Sequence, residues 1–126
     1  MSRFTWTMLA CAAITIAGCA TQRGYDGPSK LPRDLAVIVG SPPISAGLPL
    51  AAVLRKVDDR VVVLGYSKVA VEPGEHRVLV DCVMAATHAT TRHELKFEVY
   101  PGRRYVLVPE SAPGNAACGS VHVDER

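Results

Sequence analysis

The sequence predicts an all-β fold, a small antiparallel β-sandwich of about seven or eight short strands. Apolar and polar side chains alternate with a period of two, β-branched residues dominate, and helical periodicity is nearly absent. The alternation is clearest at residues 92–100, where Leu95, Phe97 and Val99 share one face. Proline and glycine separate the apolar runs at a spacing typical of sandwiches. One small domain of this class is therefore expected.

The expected strands follow one another from residue 34 almost to the last residue. They cover residues 34–39, 50–57, 60–65, 67–72, 76–84, 92–100, 104–109 and 119–125. The run LAAVLRKV at 50–57 would also fit one or two helical turns, but a strand is favoured. The run RVVVLG at 60–65 has the composition of a buried strand.

Two joints between these runs are candidate hairpin turns, Pro73-Gly74 and Pro101-Gly102. Proline presets φ near −65°, and glycine accepts the positive φ that the next position of a type II turn requires. We therefore expect antiparallel pairing of the strands on either side of each turn. Residues 41–49 are rich in proline and glycine, and a loop is expected there.

The amino-terminal residues have the organisation of an export signal. Arg3 is followed by an uncharged run from Met8 to Gly18, which is too short to span a bilayer core of roughly 20 apolar residues. Residues 1–18 are therefore interpreted as a signal peptide. Residues 19–33 hold two prolines, two glycines and no apolar period, which predicts a flexible tether. The sandwich is expected over residues 34–126.

The cleavage site carries a more specific pattern, Ile16-Ala17-Gly18-Cys19. This segment resembles the lipobox of bacterial lipoproteins. The resemblance implies that the thiol of Cys19 is diacylated and that the chain is then cut before it. Because residue 20 is alanine and not aspartate, the resemblance also implies an outer-membrane location facing the periplasm.

Two further cysteines, Cys82 and Cys118, would remain in the exported domain once Cys11 has left with the signal. Paired thiols form and persist in an oxidising compartment. Their separation of 36 positions has no CxxC spacing, so a structural disulfide is favoured over a redox or metal pair.

Composition and motifs argue against most catalytic classes. The 14 Lys and Arg nearly balance the 12 Asp and Glu, and no basic stripe with interleaved aromatics indicates nucleic-acid binding. No GxSxG, phosphate loop or dinucleotide pattern is present, so we expect no enzyme activity and no cofactor. The four histidines have no metal-ligand spacing, and no metal site is expected; they are His76, His88, His93 and His122.

Three tyrosines, Tyr66, Tyr100 and Tyr105, are the candidate contact patch, because tyrosine combines apolar area with a polar tip. The alternative is that they pack at strand ends. The stretch VDDRVVVLGYSKVAVEPGEHRVLV, together with Tyr100-Pro-Gly-Arg-Arg-Tyr105, resembles the PEGA-type β-sandwich modules of bacterial envelope proteins. That resemblance implies a scaffold without a shared active site.

The resulting functional prediction is a membrane-anchored envelope lipoprotein that acts as a non-enzymatic binding or structural module. Its expected partners are membrane lipid, through Cys19, and another envelope protein or peptidoglycan. The alternative is a periplasmic domain that binds a ligand or metal through its scattered histidines.

Overall fold

The computed structural model describes residues 21–41, 49–114 and 117–126. Two β-sheets pack face to face, which confirms the all-β sandwich. In these residues there is no α-helix, and hence none long and apolar enough to cross a membrane. One turn of 3-10 helix, Pro32–Asp34, precedes the second strand. The nine strands in the described ranges are β1 Thr21–Arg23, β2 Ala36–Val39, β3 Leu50–Val57, β4 Arg60–Val61, β5 Lys68–Val71, β6 Gly74–Met84, β7 Thr90–Val99, β8 Arg104–Ser111 and β9 Cys118–Glu125.

One sheet has five strands in the order β1-β5-β2-β8-β9, and the other has four in the order β4-β3-β6-β7. The predicted antiparallel pairing holds within the four-stranded sheet. In the five-stranded sheet, β1 pairs with β5 and β2 pairs with β8 in parallel, so that sheet is mixed. The sandwich therefore has one lateral edge formed by β1 and β4 and another formed by β7 and β9.

The core lies between the sheets and is filled mainly by β-branched side chains. In β6, the predicted apolar face is confirmed, since Val78, Val80 and Cys82 are completely buried. Ile38 of β2 and Val57 of β3 meet them from other strands of the same core. Successive side chains of a strand point to opposite faces, so each of these strands has one inward and one outward face.

Of the nine described strands, β2 to β9 lie where the sequence predicts strands, including Leu50–Val57, whereas β1 was not predicted. The strand in the run 60–65 is shorter than predicted. Only Arg60–Val61 pairs with β3, and the chain then leaves the four-stranded sheet to reach β5 in the other one. The expectation that this run is buried is wrong, because Val61, Val63 and Leu64 are exposed at the edge of the sandwich.

Neither proline–glycine turn forms the predicted hairpin. Pro73-Gly74 joins β5 to β6, and Pro101-Gly102 joins β7 to β8, and in each case the two strands belong to different sheets. The turn residues set a sharp reversal but not the pairing. Since β5 and β6 each already have strands on both sides, they cannot pair with each other, and the chain crosses between the sheets at Pro73-Gly74.

The flexible tether predicted over residues 19–33 is wrong for the part that is described. Thr21–Arg23 is a strand on β5, and the Gly24 amide donates to the Ala70 carbonyl at 2.8 Å. A Cβ at Gly24 would lie 2.6 Å from Val69, so glycine lets the chain approach the sheet closely. Tyr25 is also buried, and the folded domain therefore includes described residues that lie before the predicted start at residue 34.

Candidate functional site

The β1/β4 edge is where the amino-terminal strand meets the chain that leaves β4. The side chain of Gln22 connects the two: its Nε2 donates to the Val61 carbonyl at 3.0 Å, and its Oε1 accepts from the Val63 amide at 2.7 Å. The ion pair of Arg60 with Asp26 adds a second connection. Between the two bonded residues, Val62 turns inward and packs against the core. The edge is thus held by side chains and not by a long ladder.

This edge presents the most exposed aliphatic side chains of the described chain. Val61 is 62% exposed, Val63 is 56% exposed and Leu64 is 84% exposed. We refer to residues 61–64 as the apolar loop. Val61 and Val63 point outward because Val62 between them packs inward, and Leu64 is exposed in the turn that follows. Single exposed apolar residues are common, whereas here three lie within four positions.

The turn between β3 and β4 forms a second polar feature around Asp58 and His76. Asp58 adopts a positive φ of 54°. Its Oδ1 accepts from the Arg77 amide at 3.1 Å, and its Oδ2 lies 2.7 Å from Nδ1 of His76. Burial raises the pKa of Asp58, but these hydrogen bonds and the nearby charges of His76 and Arg77 outweigh it and hold the pKa below its usual value.

His76 has an acceptor at each ring nitrogen. Its Nε2 lies 2.6 Å from the Glu72 carbonyl, which can only accept, and its Nδ1 faces the Asp58 carboxylate. The ring can donate to both only when it is doubly protonated. A shallow depression of about 270 Å³ beside it is lined by Asp58, Asp59, Glu75, His76, Arg77 and Lys96. With both nitrogens engaged and no hydroxyl or thiol in this lining, the arrangement is that of a braced turn.

The other three histidines do not converge on His76. His88 lies in the β6–β7 loop with φ of 56°, His93 bonds Thr91, and His122 pairs with Glu110. Across the residues that the structure describes, no group of three or more His, Cys, Asp or Glu side chains could hold a metal ion.

Asp81 was not singled out by sequence reasoning, although it lies at the centre of the outer face of the four-stranded sheet. Among the residues that the structure describes, Asp81 is the one charged residue that is buried. Its carboxylate accepts hydrogen bonds from Arg55 at 2.9 Å and from Arg92 at 3.0 Å. Burial raises the pKa of Asp81, and the two guanidinium groups reverse this and lower it. In the sequence, Asp81 is visible only as an acidic residue on the polar face of an alternating strand. Its contact with Arg92 depends on the register of β6 and β7, which places the two residues opposite each other.

The predicted cysteine pair is brought together. Cys82 in β6 and Cys118 at the start of β9 form a disulfide with their Cα atoms 6.0 Å apart. The two strands belong to different sheets, so the bridge joins the layers close to the β7/β9 edge. Both cysteines are buried, which is typical of a structural bond.

The three tyrosines do not form one patch. Tyr105 is buried, and its ring lies 5.8 Å from that of Phe97, so it is unavailable for an external contact. Its hydroxyl instead accepts from the Tyr100 amide at 2.7 Å and braces the turn between them. Tyr100 is exposed at that turn, whereas the half-buried Tyr66 follows the apolar loop. The strand-end packing that was the alternative applies to Tyr105.

Cys19 lies outside the described residues, and its lipidation stays a prediction. What the structure adds is the position of Thr21, the first described residue, whose β-sheet partner is Lys68. The chain toward Cys19 thus leaves from the β1/β4 edge, beside the apolar loop.

No protein-family model matches the chain, and neither the curated proteins nor the solved structures include a match to it. The site therefore has to be interpreted from its own geometry.

Proposed function

We propose that the chain is a lipid-anchored module of the bacterial envelope, attached through Cys19, that acts by binding or scaffolding and not by catalysis. The observation that carries the proposal is the Ile16-Ala17-Gly18-Cys19 segment directly before a disulfide-bonded sandwich whose first strand begins at Thr21. Two or more acyl chains give stable anchoring at about 0.8 kcal/mol per buried methylene. The proposed location is the periplasmic face of the outer membrane.

The polar features of the domain support a scaffold. The Asp58–His76 pair is occupied by its own backbone acceptors and donors, and the Asp81 carboxylate is neutralised by two arginines. Both groups are thus engaged in contacts within the domain. The resemblance to PEGA-type modules supports the same role. Another envelope protein or peptidoglycan is the proposed partner beyond the membrane lipid.

Lipid attachment can be tested by expressing the full chain in a Gram-negative host supplied with alkyne-tagged palmitate. We expect the label on a peptide that begins at Cys19, and protein in the membrane fraction. The matched control is Cys19→Ser, which keeps the same signal but offers no thiol for acylation. Loss of the label in the control supports the proposal; an unlabelled wild-type protein, cut elsewhere and soluble in the periplasm, would contradict it.

The binding role can be tested by crosslinking in intact envelopes, followed by recovery of the lipidated protein. A specific protein or a peptidoglycan fragment is the expected product. Recovery of lipid alone would argue against a binding role. The metal-binding alternative predicts a stoichiometric metal in the purified protein, and metal analysis of the same sample decides it.

A further inference from the structure

We propose that the apolar loop, residues 61–64, is a membrane-contact surface that rests on the bilayer to which Cys19 is attached. The proposal rests on the lipid anchor proposed above and adds to it an orientation: the end of the β1/β4 edge that holds Thr21 and the apolar loop faces the membrane. The partner it commits to is a lipid surface.

Cys19 is close in sequence to the first described strand. Cys19 is two residues before Thr21, and an extended chain covers at most about 3.6 Å per residue. The Cα of the lipid-bearing residue therefore lies within roughly 7 Å of the Cα of Thr21. Since Thr21 is already hydrogen-bonded into the sheet beside β5, no long tether separates the domain from the bilayer.

The chain at this exit point is connected to the apolar loop. Gln22, the residue after Thr21, bonds the main chain of both Val61 and Val63. A lipid anchor that brings Thr21 to the membrane surface must bring these residues with it. Their apolar side chains, and that of Leu64, then have the acyl boundary within reach as a place to be buried.

The described lysines divide into two that form ion pairs and two that do not. Of the four described lysines, Lys30 pairs with Glu72 and Lys96 pairs with Glu75. Lys56 and Lys68 have no ion-pair partner among the described residues. Lys56 is the register partner of Val61, and Lys68 is the register partner of Thr21. These two lysines thus lie on strand positions beside Val61 and Thr21, as suits a surface that meets lipid headgroups.

The opposite end of the sandwich supplies a matched control. Leu31 is 52% exposed, a second exposed leucine of the described chain. It precedes the 3-10 turn Pro32–Asp34, whose following residue, Leu35, accepts from the amide of Gly102. Thr21 lies beside the first residue of β5 and Ala36 beside the last, and β5 spans roughly 10 Å at about 3.3 Å per residue. Leu31 should therefore stay in water when Leu64 is in lipid.

The test uses full-length, lipidated protein reconstituted into vesicles of phosphatidylethanolamine and phosphatidylglycerol that contain a nitroxide-labelled lipid. Leu64→Cys and Leu31→Cys each carry the same environment-sensitive fluorophore. The native thiols are otherwise used by lipid at Cys19 and by the Cys82–Cys118 bond. We expect at least threefold stronger quenching at position 64 than at position 31, with a blue-shifted emission only at position 64.

Equal quenching at the two positions, in protein that floats with the vesicles, would overturn the contact and leave the anchor standing. Quenching of position 64 by water-soluble iodide in pure lipid vesicles, with protection only in native membranes, would assign the loop to a protein partner and also overturn it. Protein without lipid on Cys19 would overturn both proposals. A second variant, Val63→Asp with Leu64→Asp, should retain palmitate and flotation but lose protection of amides 61–64 from hydrogen exchange in vesicles.

Discussion

The two lateral edges of the sandwich are built in different ways. At the β7/β9 edge, strands of 10 and 8 residues meet beside a disulfide that joins the two sheets. At the β1/β4 edge, strands of 3 and 2 residues have short ladders to their own sheets and are connected to each other by the Gln22 side chain and one ion pair. The first edge is fixed by covalent and ladder bonds, whereas the second has few bonds and exposes apolar side chains.

Local stability in a protein follows such differences, since regions with few buried contacts open at low free energy. The β1/β4 edge is expected to open before the β7/β9 edge. It is also the edge from which the chain leaves toward Cys19. A bilayer in contact with the apolar loop would stabilise the edge of the sandwich that has the shorter strands and no disulfide. Variants at four sites, from the largest expected effect to the smallest, compare these edges with each other and with the rest of the sandwich.

Removal of the disulfide should have the largest effect on stability. In the double variant Cys82→Ala/Cys118→Ala, we expect the free energy of unfolding to fall by about 3–4 kcal/mol, because the unfolded chain regains loop entropy. Chemical denaturation of the oxidised protein gives the reference value. Reduced wild-type protein is the control and should match the variant within about 1 kcal/mol. A loss much smaller than this would mean that the β7/β9 edge does not depend on the bridge.

Asp81 should be the next most sensitive position. In Asp81→Asn, Arg55 and Arg92 lose a charged acceptor, and we expect a loss of about 1–2 kcal/mol at pH 7. The matched control is Glu94→Gln on the same outer face, whose ion pair with Arg77 is exposed; it should cost less than about 0.5 kcal/mol. Equal losses for the two variants in urea denaturation would contradict the account.

The same variant has a defined pH dependence. Because the folded-state pKa of Asp81 is lowered, its contribution is present above the pKa of the unfolded chain and is lost as the pH falls through the folded value. The difference between wild type and Asp81→Asn should therefore shrink below about pH 4. A difference in stability between the two proteins that grows as the pH falls would contradict a lowered pKa of Asp81.

Gln22→Ala should affect the β1/β4 edge alone. We expect a global loss of only about 0.5–1 kcal/mol, with several-fold faster hydrogen exchange of the Val63 amide in the absence of lipid. Gln22→Glu is the control, since its side chain keeps the acceptor for Val63 but loses the donor to Val61. It should leave exchange at Val63 close to wild type. Faster exchange in β7 or β9 would contradict a local role.

Asp58→Asn should have the smallest effect, less than about 1 kcal/mol at pH 7, because this carboxyl is 45% exposed and its interactions are screened by water. The loss should shrink below about pH 4, since the lowered pKa of Asp58 makes its contribution one that is lost as the pH falls through the folded value. Thermal denaturation at pH 7 and pH 3 measures both values. Asp59→Asn, at the exposed neighbouring turn position, should change neither.

The sequence predicted local structure well wherever one face of a strand is buried. The alternation in β6 and β7 placed Val80 and Leu95 on their faces, and the export context indicated the Cys82–Cys118 bridge. The sequence could not predict which strands pair with each other. A proline–glycine turn reverses the chain equally well inside one sheet or between two, so Pro73-Gly74 gave no indication of a crossing.

The candidate site depended on long-range contacts that no local pattern contains. The segment containing Gln22 is polar and rich in glycine and proline, which suggested a tether, but it finds hydrogen-bond partners about forty positions away. The run at 60–65 has the composition of a buried strand, and only its place at a sheet edge exposes Val61 and Leu64. Tyr105 likewise was buried by tertiary packing against Phe97.

The most direct test of the central claim is the membrane depth of nitroxide spin labels at positions 64 and 31 in lipidated protein on vesicles. The account predicts that the label at position 64 collides mainly with lipid-dissolved oxygen, and that the label at position 31 collides mainly with a water-soluble nickel chelate. Nickel-dominated collisions at both positions, or the reverse order, would contradict an orientation with the Thr21 end of the β1/β4 edge on the membrane.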